Sequence, residues 1–512
     1  MSAPPKVSVV VPVYNPGHDI DDCIRTLLDQ SLPADEYEVV FVDDGSTDAT
    51  PARLDALAAE HANVRVEHIP NSGWPGRPRN VGVELSRGEF VYFVDNDDWL
   101  GQQALERMHA MAVRDEADIV IGKVVGHGKS VPRNLFRRNR TGVDLHWEPL
   151  VWLLTPHKLW RRSFLDAHDL RFPEGRRRLE DHVLVMRAYF AEPRISVLAD
   201  YPCYHWVLRD RDVNASWGRL DPQSYFAFMR EVLDIVDEHT EPGPFRDRLY
   251  ARWYRGKMLN RVEKIHSNPD RARRRPLYEA MHELAVERFP DGVDAFLPLN
   301  LQARSRLLRA GAYDALEALA DYETSLRAVA RSLSVREVEG GAELRLEAEL
   351  EPLRFARAGE RVVWGPPRPE ERLDVTEGLE RSTVQLLLKR RDTQEEYRVP
   401  AQVETRLVDA PDGVRAVVFA TGSVIAATAA AGGPLPAALW EVRVVVIVAG
   451  FRAAGRVRRA RSAEELMLAS TAGGRVTERR PGWQRNLRRR MPRPVVRAIR
   501  ETQRVVRRRL RR

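Results

Sequence analysis

Cysteine is nearly absent. Cys23 and Cys203 are the only two in 512 residues, and both lie among apolar neighbours, so no disulfide framework holds this chain together. Long apolar runs are missing too: the longest, Val444 to Phe451, is far too short to cross a bilayer. The opening, MSAPPKVSVVVPVY, lacks the basic-then-apolar plan of a leader and passes directly into a strand pattern. These absences exclude a disulfide-stapled module and a membrane-embedded chain, and a cytosolic protein is expected. Disorder is excluded as well, because 43% hydrophobic and 30% charged residues make a globular balance. At 512 residues the chain exceeds one usual core, so two or more domains are expected.

Acidic charge is scarce at one end. Arg475 to Arg512 holds 16 arginines and two glutamates, a net of +14, against +7 for the whole chain, which leaves −7 for everything before it. A basic end on an acidic body points to a polyanion or an anionic membrane surface. Val495, Val496, Ile499, Val506 and Leu510 recur at near-helical spacing between those arginines, with Pro494 near the first turn. That is a basic amphipathic helix. Its apolar stripe favours docking on anionic lipid over retention of a phosphate-rich polymer. No recognition module or aromatic stacking pattern supports nucleic acid.

Over the first 125 residues strand and helix signals alternate, which predicts a parallel sheet with helices on its faces. Val7 to Tyr14 (VSVVVPVY) is the first strand, after which Ile20, Cys23, Ile24, Leu27 and Leu28 recur at helical spacing. Tyr37 to Val42 is the second, and the helix from Thr47 to His61 has Ser46 or Thr47 to cap it. Val64 to Ile69 is the third, followed by the loop NSGWPGRPRN and a short helix near Val81 to Leu85. EFVYFVDNDDWL (Glu89 to Leu100) carries the fourth and Ala117 to Val125 the fifth. From about Gln223 to Ala328 the period turns helical, with Phe226, Phe228, Met229, Val232, Leu233 and Val236 as its first apolar stripe. After Ser332 the period is two. Glu343 to Leu350 alternates strictly, and further short strands near Arg361, Thr383, Arg415 and Val442 predict a β-sandwich.

The fourth strand ends abruptly in Asp95, Asn96, Asp97 and Asp98. Carboxylates this close repel one another unless a cation or donors compensate. In open parallel sheets ligands bind outside the carboxyl ends of the strands, and four polar features land there: Pro12 to Asn15, Asp43 to Ser46, Asn71 with Arg77 to Asn80, and Asp95 to Asp97. Further on, GRRRLEDHVLVMRAYF opens an apolar helix with Glu180 and Asp181. A carboxylate there serves either as a base or as an N-terminal acid favoured by the helix dipole. Asp44 is read as a cap for the helix that follows it. His157, His182 and His205 are read as packed or hydrogen-bonded histidines rather than metal ligands.

In combination, VSVVVPVYN, VDDGSTD, the R-N-V-G helix start at Arg79 to Gly82, and VDNDD, an instance of D-x-D, resemble the family 2 glycosyltransferases of the GT-A fold. The resemblance covers about the first 220 residues. GKVVGHGKSV, TPHKLWRRSFL, RRLEDHVLVMRAYF and ISVLADYPCYHWVLRDRD are similar to the wall teichoic acid glycosyltransferases that attach N-acetylhexosamine to poly(ribitol phosphate). Those enzymes carry a helical linker and, in some members, trimerising Ig-like domains. The resemblance implies an α/β GT-A catalytic domain (Rossmann-like, mostly parallel sheet) at 1–220, a helical linker at 221–330 and an Ig-like β-sandwich at 331–468, before the basic tail at 469–512. It implies an inverting transferase that moves GlcNAc or GalNAc from a UDP-sugar to a cell-envelope glycopolymer, with Mn²⁺ or Mg²⁺ as cofactor. Asp181 matches the catalytic base. Asp97 and Asp95 match the metal ligands. Pro12, Tyr14, Asp43, Asn71, Arg79, Asn96, Glu180, Arg209 and Ser216 match nucleotide-sugar contacts. The partners implied are the UDP-sugar donor, an anionic glycopolymer or glycolipid acceptor, and further copies of the chain, a trimer by analogy. The family's processive polymerases carry membrane spans and Q-x-x-R-W; neither is present, so single transfers are expected. The arginine-dense tail departs from the family pattern, and with it the enzyme would lie peripherally on the inner face of the membrane. Two rivals stand beside this reading: the same fold acting on a lipid-linked oligosaccharide or capsule unit, and a catalytically silent envelope-binding scaffold.

Overall fold

The computed structural model describes residues 4–127, 131, 134–208, 221–262, 274–365, 372–391, 396–430, 434–459, 462, 464–471 and 474–479. Arg209, Ser216 and the arginine-dense tail from 480 onward lie outside these residues. The described residues group into two compact units, drawn from Met1–Met258 with Arg271–Phe296 and from Leu259–Asp270 with Leu297–Arg512.

The first unit is built on an eight-stranded sheet of order β3-β2-β1-β4-β7-β6-β8-β5. The strands are β1 (Val7–Val13), β2 (Tyr37–Asp43), β3 (Val64–His68), β4 (Phe90–Phe93), β5 (Trp99–Leu100), β6 (Ile119–His127), β7 (Leu159–Arg161) and β8 (Ile195–Val207). β1, β2, β3 and β4 pair in parallel, as do β6 and β8. β7 pairs antiparallel with both β4 and β6, and β5 pairs antiparallel with β8. The sheet is therefore mixed but mostly parallel, as expected, with β7 and β5 as its antiparallel members. β7 is only three residues long and carries no pattern of its own, yet it enters between β4 and β6. β1 and β2 are buried at every position, the signature of strands covered by helices on both faces.

The helices are α1 (Asp21–Leu28), α2 (Thr50–Glu60), α3 (Gly76–Leu85), α4 (Ala104–Arg114), α5 (Arg162–Ala167) and α6 (Glu180–Phe190). α3 presses on β1 so closely that a Cβ on Gly82 would stand 2.2 Å from Val10 Cγ1. Two expectations about capping are corrected. α2 begins at Thr50 with no side-chain cap, because Ser46 Oγ accepts the Asn15 N–H and Thr47 Oγ1 accepts Asn15 Nδ2. Asp44 caps no helix; its carboxylate takes the backbone N–H and the hydroxyl of Ser72 at 2.8 and 2.9 Å, bracing the loop after β3.

Helices α7 (Pro222–His239) and α8 (Pro244–Trp253) complete this unit together with Arg274–Arg288. Asp221 caps α7 by accepting the Ser224 N–H at 2.9 Å, with Pro222 at the first turn. Its stripe is buried as expected except at Phe228, whose ring lies 4.8 Å beneath the Arg177 guanidinium. A π-helical turn, Tyr254–Leu259, follows α8. The later helices, Leu299–Arg309 and Tyr313–Ser325, fall within the second unit.

In that unit Leu344, Leu346, Ala348 and Leu350 point inward from Gly341–Glu351 while charges alternate with them. One layer has the order Arg327–Val338, Gly341–Glu351, Gly413–Ile425, Ala401–Ala410. The other contains Glu396–Val399, Thr383–Arg390, Leu439–Val448 and Phe451–Arg458. They pack face to face and join where Val457 pairs with Ala330, which makes a single β unit. Among the described residues no helix is long and apolar enough to cross a membrane.

Candidate active site

β4 delivers Asp95 to the carboxyl edge of the sheet, where a turn closes with the Asp98 N–H donating to the Asp95 carbonyl at 3.1 Å. Asp95 is gripped from two sides: Arg79 Nη2 donates to Oδ1 at 2.8 Å, and His157 Nε2 stands 3.1 Å from Oδ2. Burial works against the charge on Asp95, but His157 and Arg79 hold its carboxyl well below the usual carboxylate range. Asp98 is fully buried, accepting from the Tyr204 hydroxyl at 2.6 Å and the Val207 N–H at 2.8 Å. Burial, and then the charges of Asp95 and Asp97, push its carboxyl up to about 8. The His157 ring stacks on Tyr204 at 4.1 Å between centroids.

Arg79 reaches the other way as well. From the start of α3 its buried guanidinium donates through Nη1 to Glu180 Oε1 at 3.3 Å. Glu180 and Asp181 open α6, behind Leu179 at φ +64°. Burial, then the charge of Glu180, push the Asp181 carboxyl up to about 7, although 26% of its side chain stays open. Lys257, on the π turn after α8, and Arg79 pull it back down. His182 is buried and accepts Trp253 Nε1 at 2.9 Å, which ties α8 to the start of α6. Lys158 is fully buried and donates to the carbonyls of Leu153, at 3.1 Å, and Thr155.

At the end of β2, Asp43 is buried and uses both oxygens, taking the Ser46 N–H at 3.1 Å and standing 2.8 Å from His68 Nδ1. His68 Nε2 lies 3.1 Å from Asp55, and these two carboxylates raise the His68 pKa. Pro12 is buried in β1, and Tyr14 beyond it is half exposed, at 51%. Asn71 is exposed and its backbone passes so near Gly45 that a Cβ there would meet Asn71 N at 2.7 Å; at φ +72° only glycine sits without strain.

The fold thus brings Arg79, Asp95, Glu180 and Asp181 into one cluster and sets Asp43 in a second. Asn96 and Asp97 lie partly exposed in the turn. Arg209 and Ser216 fall outside the described residues. Asp98, His157, Tyr204 and Lys257 also belong to the cluster and were not expected there, although Asp98 adjoins the D-x-D and His157 stands in TPHKLW. The three histidines read as packed or hydrogen-bonded are so: His182 accepts from Trp253, and His205 stacks on Trp99 and lies 2.9 Å from His127. His157 is buried and hydrogen-bonded to Asp95.

Asp95, Asp98 and His157 each offer a ligand atom, all within 4.8 Å of one another. Two carboxylates and an imidazole suit a hard to borderline divalent cation. Burial, before the neighbouring charges of Asp95 and Asp97, opposes ionisation of Asp98. A cation fits this turn, and the turn brings its first and fourth residues together while Asp97 lies outside that trio.

Two family models match the chain: Glycosyl transferase family 2 over residues 8–173 and Glycosyl transferase TarS linker domain over residues 222–320. A poly(ribitol-phosphate) beta-glucosyltransferase of Bacillus spizizenii is 36% identical over 45% of this chain, though the chain spans only 37% of that relative's length. Poly(ribitol-phosphate) beta-N-acetylglucosaminyltransferase TarP of Staphylococcus aureus is 30% identical over 45% of the chain and 72% of its own length. The crystal structure of S. aureus TarS 1-349 in complex with UDP-GlcNAc aligns with a TM-score of 0.55 and 27% identity, covering 66% of this chain and 96% of that one. With the D-x-D turn, the E-D helix start and the guanidinium between them in place, the chain belongs to the family 2 glycosyltransferases.

Proposed function

We propose that this chain is an inverting, metal-dependent transferase that moves GlcNAc or GalNAc from a UDP-sugar to a hydroxyl of an anionic cell-envelope glycopolymer of the teichoic acid kind. One observation carries the reading: the single buried guanidinium of Arg79 ties Asp95, on the donor side, to Glu180 beside Asp181. Donor charge and acceptor proton are then handled within one rigid cluster. The activities named for the Bacillus and Staphylococcus relatives support the acceptor class.

In this reading Asp43 accepts from the uracil or ribose, with Tyr14 and Asn71 flanking the base. Asp95 would hold Mn²⁺ or Mg²⁺, with Asp97 from the exposed side of the turn and with Asp98 and His157 beside Asp95, while Asp98 also braces the turn through Tyr204. A cation held there would supply positive charge to balance the departing diphosphate. Asp181 takes the proton of the acceptor hydroxyl as that oxygen bonds to the anomeric carbon from the face opposite the leaving group. The bond from the anomeric carbon to the phosphate oxygen breaks, UDP leaves with its electron pair, and the configuration inverts. Glu180 stays fixed by Arg79 and directs the open edge of Asp181 toward the acceptor.

A paired substitution tests this. Asp181→Asn should abolish transfer while sparing UDP-sugar binding, and Asp97→Ala should weaken donor binding only when the divalent cation is present. Unchanged turnover in both variants would sink the assignment.

A further inference from the structure

α8 and the π turn after it place Arg248, Arg252 and Arg255 at positions i, i+4 and i+7, along about 10 Å of one face at 1.5 Å per residue. All three are only partly exposed, held against the loop at 145–152. Arg248 Nη2 donates to the carbonyls of Leu145 and His146 at 2.9 and 2.5 Å. Arg252 Nε donates to the Val151 carbonyl at 3.1 Å. The guanidinium groups of Arg252 and Arg255 lie over the Trp152 ring at 5.3 and 5.0 Å.

Their neighbours pair their charges: Arg246 with Asp237 at 3.2 Å, Arg230 with Glu287 at 2.7 Å, Arg288 with Asp234 at 2.7 Å. Among the described residues, Arg248, Arg252 and Arg255 have no carboxylate within ion-pair distance; Asp144 and Asp181 act on Arg248 and Arg252 only from farther off. Desolvating a cation without a counter-charge is costly. A row of three points to an anion that arrives from outside.

The row has two ends. Toward one lies Asp181, whose charge reaches Arg252 and on which Lys257, two residues beyond Arg255, acts in turn. The other is a cavity of about 400 Å³ lined by Arg138, Asp144, Trp147 and Glu148, where the Trp147 ring is 84% exposed. An open indole beside a guanidinium is a stacking platform for a sugar or polyol face.

We propose that Arg248, Arg252 and Arg255 form a track for the phosphodiester backbone of the acceptor chain, leading from Asp181 to a distal platform at Trp147. This rests on the reading under Proposed function and adds how the acceptor is held. Each guanidinium offers a fork of donors to a phosphate. A flexible chain reaches recessed arginines that a flat lipid surface would not.

The test uses the full chain with a synthetic oligo(ribitol phosphate), an uncharged oligosaccharide of equal length and phosphatidylglycerol vesicles. The unsubstituted protein should bind the oligo(ribitol phosphate), less tightly as salt rises, and should ignore the uncharged chain. Replacing all three arginines (Arg248→Gln, Arg252→Gln, Arg255→Gln) should weaken that binding at least tenfold and flatten its salt dependence, with UDP affinity and melting temperature as folding controls. Replacement by lysine should restore part of it. Trp147→Ala should weaken long oligomers but not a single ribitol phosphate. Equal binding by the glutamine variant overturns the track and leaves the transferase reading standing. Loss of vesicle binding instead of oligomer binding overturns it in favour of a membrane contact. If the unsubstituted protein takes up UDP-sugar but no oligomer, the acceptor class falls and the track falls with it.

Discussion

Asp181 must be ionised to accept a proton, yet it sits where ionisation is opposed. Burial and Glu180 push its carboxyl up to about 7, so in more acidic solution it already carries the proton it should be removing. kcat/KM is expected to fall about tenfold per pH unit on the acid side of that value, as an initial-rate profile will show. Lys257 favours the carboxylate, so Lys257→Met should move the acid limb to higher pH, and a limb that stays put would contradict the assignment. Asp181→Asn keeps the shape and loses the base; about 10²- to 10⁴-fold in kcat is at stake. At the other cluster, His68 holds one oxygen of Asp43. His68→Ala should raise the donor KM several-fold with kcat little changed, measured by initial rates over a donor series. The carboxylates were legible in the sequence because the chemistry sets them side by side, as in VDNDD and LED. Their partners were not. His157 lies 62 residues from Asp95, and Tyr204 lies 106 from Asp98, so only the sheet order brings them together.

At the scale of elements, β1 and β2 were legible because burial on both faces leaves an unbroken apolar run. β7 was invisible: three residues show no period, and its pairing is decided by the long excursion before it. The start of α2 was misplaced because Ser46 and Thr47 are good caps in isolation and are here engaged by Asn15. α3 illustrates a constraint that the sequence carries only as a glycine. Gly82→Ala would drive a methyl group into Val10, and overpacking of this kind costs about 1–3 kcal/mol. A lowered urea midpoint at unchanged slope is the expected result.

For the whole molecule, the helical linker expected from about Gln223 to Ala328 is present, and its helices are shared between two compact units. Periodicity names the element and is silent on which core an apolar stripe joins. The β region was legible as strands, and the packing of its layers settles it as one unit. For the basic tail, deleting Arg485 to Arg512 should lower binding to anionic vesicles, with a smaller loss at high salt. The central claim concerns what the Arg79-centred cluster does, and one assay addresses it most directly: nucleotide release from a panel of UDP-, GDP- and dTDP-sugars, with oligo(ribitol phosphate) as acceptor, in Mn²⁺ and in chelator. The account predicts release from one UDP-sugar, lost in chelator and in Asp97→Ala, with the sugar recovered on the acceptor. Release that survives chelation, or silence across the whole panel with acceptor present, would contradict it.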